Sequence, residues 1–449
     1  MEFEEQLEHI LELIEEKKYA SIRAEIAEWN EADIAELLDE LPGAEATKIF
    51  RLLPKDMAAD VFSFLPIETE QQMISTLTDR ETRNIIENLY ADDAADLLEE
   101  MPANVVKKIL ANASAETRND INHLLQYKED SAGSLMTIEY TALKEEWTVA
   151  QAMEEIRRTG MENETINICY VLTDSRELVG IVSLRDLILS DPDAALKDVM
   201  EDRPITVKTS DDQEEVAQDF QKYDFTAMPV VDSENRMVGI ITVDDIVDIM
   251  EEEATEDMEK MAAIVPTDKP YMKLGVFELV KKRIPWLLLL MISATFTGMI
   301  ITSFEEKLAR YVVLTAYIPM LMDTGGNSGS QASVMIIRGL SLNEIEFKDT
   351  LRVIWKEMRV AVCCGAILAV ANFVKLMLFD RLTVVVAATI CCTLVVTVFC
   401  AKLVGCTLPI LAKKLGFDPA VMASPFITTI VDAISLLVYF RFATVFLGL

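Results

Sequence analysis

The 449-residue sequence contains few of the residues on which most catalytic and zinc sites depend. It has two histidines, His9 and His123, and seven cysteines. No Cys or His pair stands at zinc-ligand spacing, and no nucleophile lies in a pattern with a base, which argues against a structural zinc site and a histidine-based active site. Six of the cysteines lie in apolar C-terminal segments, so a disulfide framework is not supported. We expect that the chain is not an enzyme.

Basic residues are scarce in the first 270 positions. The whole chain carries 41 Lys and Arg against 75 Asp and Glu, whereas residues 271–449 carry 17 against 11, which leaves 24 against 64, or −40, for residues 1–270. A field of that sign repels nucleic acid and concentrates cations. We therefore expect no nucleic-acid partner and take metal ions as the partner class. A merely solubilising surface is an equally good interpretation of the charge alone.

Residues 1–130 repeat a short helical unit that ends in proline. The copies at residues 34–42, 46–54 and 58–66 place their prolines twelve residues apart, and a fourth copy at 94–102 keeps the same register. Proline cannot continue a helix, so the pattern predicts short helices stacked into an α-superhelical repeat domain.

Residues 131–250 contain a second repeat of a different kind. Residues 171–188 align without gaps to residues 230–247, and each copy predicts a strand, a polar turn, a strand and a helix capped by Ser183 or Thr242. This segment resembles a tandem pair of CBS domains, which are α/β modules that often bind adenosine nucleotides. Residues 251–270 follow as an acidic connecting helix.

Long apolar runs fill the last third of the chain. Residues 284–303 lack charge, and twenty residues of helix span about 30 Å. Four more apolar stretches lie near 311–337, 358–379, 382–411 and 419–446, which predicts a five-helix all-α transmembrane domain over 271–449. The Lys and Arg clusters between spans fall on one side, which we assign to the cytoplasm of a multi-pass inner-membrane protein with the N-terminal domains inside.

Carboxylates are rare in these spans. Asp323 and Asp432 lie near the middle of theirs, and helical spacing places Pro425, Thr428 and Thr429 on one face with Asp432. Oxygen ligands of this kind suit Mg²⁺, so Asp432 is the candidate cation site, and a twofold dimer would bring two such charges together. A structural ion pair between Asp432 and Lys402 is the alternative.

The second span carries a glycine-rich stretch around Asn327. Residues 319–331 predict a non-helical break at membrane depth, which marks either close helix packing or the permeation path. Asn327 is taken as a pore-lining residue, as are Pro425, Thr428 and Thr429 on the Asp432 face.

Taken from end to end, the chain resembles the MgtE family of magnesium transporters. The matching features are the helical repeat domain, the paired CBS domains, the acidic helix, residues 283–287, 325–331 and the run from Asp418 to Asp432. The resemblance implies a homodimeric Mg²⁺ channel in the lipid bilayer, with Asp432 lining an ion site, closed when internal Mg²⁺ is high. Asp323 departs from the family pattern, in which a small uncharged residue often precedes the glycine pair.

The resemblance implies one further ligand set, and the clustering of the acidic residues predicts another. Some members bind ATP, for which Tyr170 is the candidate adenine-stacking residue and Asp186 the ribose ligand; a strand aromatic and a helix-surface charge are the alternatives. For regulation, we expect that Mg²⁺ bridges clustered carboxylates whose repulsion otherwise separates the domains. With Asp432, the expected metal ligands are Asp418, Asp92, Asp93, Asp96, Asp244, Asp245, Asp248, Glu252, Glu256, Asp257 and Glu259.

Two other classes compete with this interpretation. A CBS-regulated transporter of anions or organic solutes would carry basic or aromatic residues toward its pore, whereas the distinctive residues here are acidic. A membrane-anchored enzyme would need a catalytic constellation outside the spans, and we find none.

Overall fold

The computed structural model describes residues 2–267, 269, 271–305, 309–422 and 424–448. The chain divides into two units, Met1–Ile249 and Met250–Leu449, and each is described by itself. The N-terminal unit holds the helical repeats and the α/β modules, and the C-terminal unit holds the long apolar helices.

Ten short helices form the first part of the N-terminal unit. They are α1 (Glu2–Glu15), α2 (Tyr19–Ile26), α3 (Glu31–Glu40), α4 (Gly43–Phe50), α5 (Lys55–Ser63), α6 (Ile67–Thr76), α7 (Asp79–Ile86), α8 (Ala91–Glu99), α9 (Ala103–Asn112) and α10 (Ala115–Leu124). The repeated prolines Pro42, Pro54, Pro66 and Pro102 are the N-caps of α4, α5, α6 and α9. Each proline therefore begins the next helix as well as following the previous one, because its fixed φ suits a helix start.

The α/β part contains two modules with the same local order. The first has β1 (Tyr140–Lys144), α11 (Val149–Thr159), β2 (Thr165–Leu172), β3 (Leu178–Ser183), α12 (Leu184–Leu189), α13 (Leu196–Val199) and β4 (Glu201–Asp202). The second has β5 (Val207–Lys208), α14 (Gln213–Tyr223), β6 (Ala227–Val231), β7 (Met237–Thr242) and α15 (Val243–Met261).

The two sheets repeat one pairing pattern. The first has the order β1-β2-β3-β4 and the second β5-β6-β7. β1 pairs with β2 in parallel and β2 with β3 antiparallel, just as β5 pairs with β6 and β6 with β7. The Ser183 hydroxyl caps α12 by accepting from the Asp186 amide at 3.1 Å, as the sequence predicts. The Thr242 hydroxyl instead donates to Asp245 Oδ2 at 2.8 Å.

The helical repeats and the second α/β module share one apolar core. Ala91 and Ala95 of α8 are buried in the same cluster as Met136, Phe220 and Ile246. This packing fixes the first turn of α8 close to the first turn of α15, where the sequence also places pairs of aspartates.

The acidic connecting segment does not form a helix of its own. α15 runs without interruption from Val243 to Met261, so the helix that ends the second α/β module and the acidic stretch are one element. The expected boundaries at 130 and 250 stay predictions, and position 270 lies outside the described residues.

Five long helices make up most of the C-terminal unit in the part of the chain that the structure describes. They are α16 (Val276–Ser303), α17 (Ile318–Ser341), α18 (Thr350–Leu378), α19 (Val384–Lys414) and α20 (Ser424–Leu447). By length and composition, the candidate membrane spans are Val276–Ser303, Phe347–Leu378, Val384–Lys414 and Pro419–Leu447. α17 is 24 residues long but more polar, so the number of five spans stays a prediction.

The expected break in the glycine-rich stretch is wrong. Residues Ile318–Ser341 form one continuous α-helix, and Gly325, Gly326 and Gly329 are buried within it. The glycines serve helix contact instead, because each lies against a neighbouring helix where a side chain has no room.

Candidate functional site

Asp432 lies on α20 beside a small apolar cluster. Its neighbour Val431 is buried with Ile427 against Ala401 of α19, and this packing fixes the turn of α20 that carries the carboxylate. Asp432 Oδ1 is buried, and no described residue donates a hydrogen bond to it. A carboxylate oxygen without a donor in an apolar helix bundle is costly unless a cation or water serves it.

Lys402 does not neutralise Asp432. Its Nζ lies 3.7 Å from Glu357 Oε2 of α18, and the exposed fractions of the two side chains are 6% and 16%. The alternative of an Asp432–Lys402 pair is therefore not what the structure contains. Glu357 was missed by the sequence argument because it sits at the edge of an apolar run, where nothing in the local pattern indicates a partner on another helix.

Glycines bring α17 directly against α19 and α20. A methyl group at Gly326 would lie 2.9 Å from Thr428 Cγ2, and one at Gly325 would lie 2.9 Å from Val431 Cγ1. Asn327, the next residue, is exposed on α17. Thr428 thus lies at the helix contact, Asn327 lies beside it, and the pore-lining role of both stays a prediction.

Pro425 does not interrupt its helix. It occupies the first turn of α20, and its carbonyl accepts from the Thr429 hydroxyl at 3.1 Å. The oxygens that Pro425, Thr428 and Thr429 add to this face are therefore those of an intact helix.

Within the C-terminal unit, the end of α15 contacts the end of α17 and the segment between α19 and α20. Lys260 Nζ lies 2.7 Å from Asp418 Oδ2 and 2.5 Å from Glu256 Oε1. Asp257 Oδ2 accepts from the Ser341 hydroxyl at 3.2 Å, and burial together with the nearby Asp418 charge raises the Asp257 pKa. An ammonium thus bridges two carboxylates that the sequence argument assigned to a metal ion.

The other acidic residues of this helix are spread along it. Glu259 Oε2 accepts from the Thr267 amide at 2.8 Å, and Glu252 lies two turns earlier on α15. Neither residue lies in the bridge that Lys260 forms.

A cluster of carboxylates lies in the N-terminal unit where α8 meets the second α/β module. Burial and then the charge of Asp245 raise the Asp93 pKa to about 6, and burial raises the Asp245 pKa to about 6. Asp92 has a pKa raised well above its usual value, chiefly by burial, and its Oδ1 has no hydrogen-bond donor among the described residues. Asp244 interacts with Asp93 across the same gap.

Two members of this cluster were missed. Glu139 has a raised pKa through burial, and the Glu164 pKa rises to about 7 through burial and then the charges of Asp244 and Asp245. Both lie in the first α/β module, far in sequence from the acids of α8 and α15. Only the folded arrangement reveals that they belong together.

Asp96 and Asp248 lie at the edges of the cluster. Asp96 is exposed and faces Glu70, whose pKa is raised to about 8 by burial and then by the Asp93 and Asp96 charges. Asp248 contributes repulsion to Asp245.

The carboxylates approach one another without forming a compact ligand shell. No group of three or more His, Cys, Asp or Glu side chains among the described residues converges closely enough to hold a metal ion. Their mutual repulsion and the donor-free oxygen of Asp92 nevertheless suit a divalent ion that keeps its water. Mg²⁺ dehydrates reluctantly and is commonly held through one or two carboxylates.

The structure corrects the predicted adenine contact. Tyr170 is 0% exposed and packs edge-on against Tyr140 with ring centroids 5.8 Å apart, so neither face is open to a nucleotide. Asp186 is exposed and accepts from the Ser183 hydroxyl at 2.5 Å. Asp186 lines a cavity of about 770 Å³ together with Arg185, Asn167 and Thr226.

Family models match the chain in the order of its elements. The MgtE intracellular N domain matches residues 29–130, the CBS domain matches 132–192 and 196–252, and the MgtE divalent cation transporter matches 318–442. These matches, together with an acidic N-terminal unit and long apolar helices, define a membrane transporter for divalent cations.

Relatives and solved structures agree with these matches. The chain is 39% identical over 331 residues to the magnesium transporter MgtE of Thermus thermophilus, which covers 74% of this chain and 73% of the relative. It is 37% identical over 345 residues to the magnesium transporter MgtE of Bacillus subtilis, with 75% and 74% covered. A crystal structure of the cytosolic domain of the Mg²⁺ channel MgtE in complex with ATP is similar with a TM-score of 0.51 and 39% identity, covering 53% of this chain and 98% of that one. The chain belongs to the MgtE family of divalent cation transporters.

Proposed function

We propose that this chain transports Mg²⁺ across the membrane into the cytoplasm and that Asp432 holds the ion in the path. The observation that carries the proposal is the Asp432 Oδ1 atom, which is buried in a helix bundle with no hydrogen-bond donor among the described residues, while Lys402 is paired with Glu357. Thr428 lies one turn from Asp432 on α20, and Asn327 is exposed on α17. Hydroxyl, amide and carboxylate oxygens suit a hydrated hard cation.

Ion flux into liposomes that contain the purified chain tests the cation site. We expect Asp432→Ala to abolish Mg²⁺ selectivity while the protein keeps its gel-filtration profile. Asp380→Asn is the matched control, because Asp380 is a carboxylate of the same unit that already has partners: Lys375 Nζ at 2.9 Å and the Tyr317 hydroxyl at 2.8 Å. Wild-type Mg²⁺ flux with unchanged ion preference in Asp432→Ala contradicts the assignment.

The proposal includes a regulatory role for the soluble carboxylates. Asp92, Asp93, Asp244 and Asp245 repel one another at the junction of α8 and α15, so a bridging divalent cation stabilises that junction. High internal Mg²⁺ then favours one arrangement of the N-terminal unit, and low Mg²⁺ favours its opening. The size of this coupling is limited by the difference in Mg²⁺ affinity between the two arrangements.

The proposed assembly is a homodimer. α16 has no buried residue in a single copy although it is 28 residues long and apolar, so lipid or a second copy must cover it. A twofold axis near α20 would place two Asp432 carboxylates on one path. The molecular mass of the purified protein in detergent tests the dimer.

ATP is a further candidate ligand of the N-terminal unit. The Asp186 cavity offers a carboxylate and the Arg185 side chain at the junction of the two α/β modules, and a related cytosolic domain has been solved with ATP. Titration of the purified chain with ATP tests this site, with Asp186 rather than Tyr170 as the contact residue.

A further inference from the structure

One face of α17 carries a polar stripe. Asp323, Asn327 and Gln331 follow one another at four-residue intervals, and all three are exposed. Residues four apart lie on the same side of a helix, so the three side chains form one line along α17. The face becomes apolar only beyond it, at Val334 and Met335.

The exposed faces of the neighbouring helices are different. Over residues 284–303 of α16 most exposed side chains are apolar, such as Leu287, Met291 and Phe296, and α18 exposes Ile367 and Val370 in its middle. Those faces suit lipid. A carboxylate and two amides facing lipid would leave their polar groups unsatisfied, so the α17 stripe faces water or polar protein groups instead.

Helix contacts fix the height of Asp323 relative to Asp432. Gly329 lies against Ile427, and Gly325 lies against Val431 and Ser435. α17 and α20 therefore run antiparallel in a register that places residue 323 level with residues 432 and 433. The charge of Asp323 is close enough to act on the Asp432 carboxylate, and no described residue forms an ion pair with Asp323.

We propose that Asp323 is a second carboxylate of the ion path, level with Asp432, and that it sets the preference for divalent over monovalent cations. This inference rests on the proposed function, because it assigns a further residue to the same site. A hydrated divalent ion beside the exposed stripe of α17 and the adjoining side of α20 meets both carboxylates at one level, with the Asn327 amide and the Thr428 hydroxyl one turn away. The electrostatic attraction between each carboxylate and a monovalent ion is half as strong at the same distance.

The experiment measures Mg²⁺ block of Na⁺ current in bilayers that contain the full-length protein. In Asp323→Asn we expect the Mg²⁺ concentration for half block to rise on the order of tenfold, which is the weakening from removal of one charge about 6 Å from a divalent ion in a water-filled path. Asp323→Glu keeps the charge and should keep the block near its wild-type value. Asp380→Asn, which removes a carboxylate outside the stripe, should leave the block unchanged.

A second measurement covers the case in which Asp323→Asn carries no current. Hexamminecobalt(III), a mimic of fully hydrated Mg²⁺, is titrated against the purified wild type and variants. Binding that is lost in Asp432→Ala is assigned to the Asp432 site, and the affinity of that site is compared between the wild type and Asp323→Asn. Weakening of that affinity by about tenfold in Asp323→Asn supports the inference, since one charge of the pair is lost.

The outcomes separate the two proposals. If Asp323→Asn leaves both the Mg²⁺ concentration for half block and the hexamminecobalt affinity unchanged, the role of Asp323 is overturned while the Asp432 site stands. The same conclusion follows if Asp323→Glu weakens the block as much as Asp323→Asn does. If the wild-type protein carries no Mg²⁺ and is not blocked by it, the proposed function itself fails.

Discussion

Neutralising Asp93 should stabilise the N-terminal unit when divalent cations are absent. Asp93 lies in the first turn of α8, where burial and the charges of Asp245 and Glu139 raise its pKa to about 6. A carboxylate whose pKa is higher in the folded state than in the unfolded state favours folding least when it is ionised. Its contribution to stability therefore falls as pH rises from about 4 through about 6. Asparagine keeps the shape of the side chain and removes the destabilisation that the buried charge causes.

The size of the effect follows from the pKa. The rise from 3.8 to about 6 corresponds to about 3 kcal/mol at pH 8, since one pKa unit is about 1.4 kcal/mol. Asp93 retains some exposure to solvent, which screens part of this destabilisation. We therefore expect Asp93→Asn to raise the free energy of unfolding by a value on the order of 1–3 kcal/mol. For a unit of this length, each kcal/mol moves Tm by roughly 2–4 °C. The variant should unfold several degrees above the wild type at pH 8 in EDTA, and near pH 4 the difference should vanish.

Thermal unfolding of the full-length protein in detergent, followed with and without Mg²⁺, provides the assay. Saturating Mg²⁺ should raise Tm less in Asp93→Asn than in the wild type, because one charge of the bridged set is gone. Asp174→Asn is the control, since Asp174 is 90% exposed in the turn between β2 and β3 and is not a member of the cluster. A lower Tm for Asp93→Asn at pH 8 in EDTA, or an undiminished effect of Mg²⁺, refutes the repulsion argument.

Two further predictions concern the C-terminal unit. Gly405→Ala places a methyl group 2.2 Å from the Gly329 carbonyl oxygen and should cost roughly 1–3 kcal/mol or more, seen as a lower Tm in detergent, whereas Gly298→Ala, with open space around it, should change little. A cysteine introduced at Gly448 should label from outside in intact cells, because five spans and an internal N-terminus put the C-terminus outside. Labelling of the cysteine only after permeabilisation contradicts the number of spans. Equal Tm values for the two glycine variants contradict the close contact between Gly405 and Gly329.

Regular patterns in the sequence predict the elements well. The gapless alignment of residues 171–188 with 230–247 predicts two modules of one kind, and the structure has the same strand pairing in both. The helices expected after Ser183 and Thr242 are observed as Leu184–Leu189 and Val243–Met261, since a helix start and an apolar period both act locally. Such features depend on residues that are close in sequence, so the sequence alone is enough to predict them.

Contacts between distant segments are where the sequence argument fails. Glycines at membrane depth indicate either a break in the helix or close packing between helices. The positions of α19 and α20 show that these glycines allow close packing. Likewise, the pairing of Lys402 with Glu357 depends on the register between two antiparallel helices. The addition of Glu139 and Glu164 to the acidic cluster depends on how the first α/β module folds.

The glycine contacts of α17 also restrict how the membrane unit can move. Gly405 and Gly329 leave no side chain between α19 and α17, and Gly326 leaves none on the α17 side facing Thr428 of α20. Close-packed surfaces of this kind resist sliding, because any shift opens voids or drives backbone atoms together. α17, α19 and α20 should therefore behave as one rigid body, and a change in the width of the ion path has to displace that body whole rather than bend a single helix.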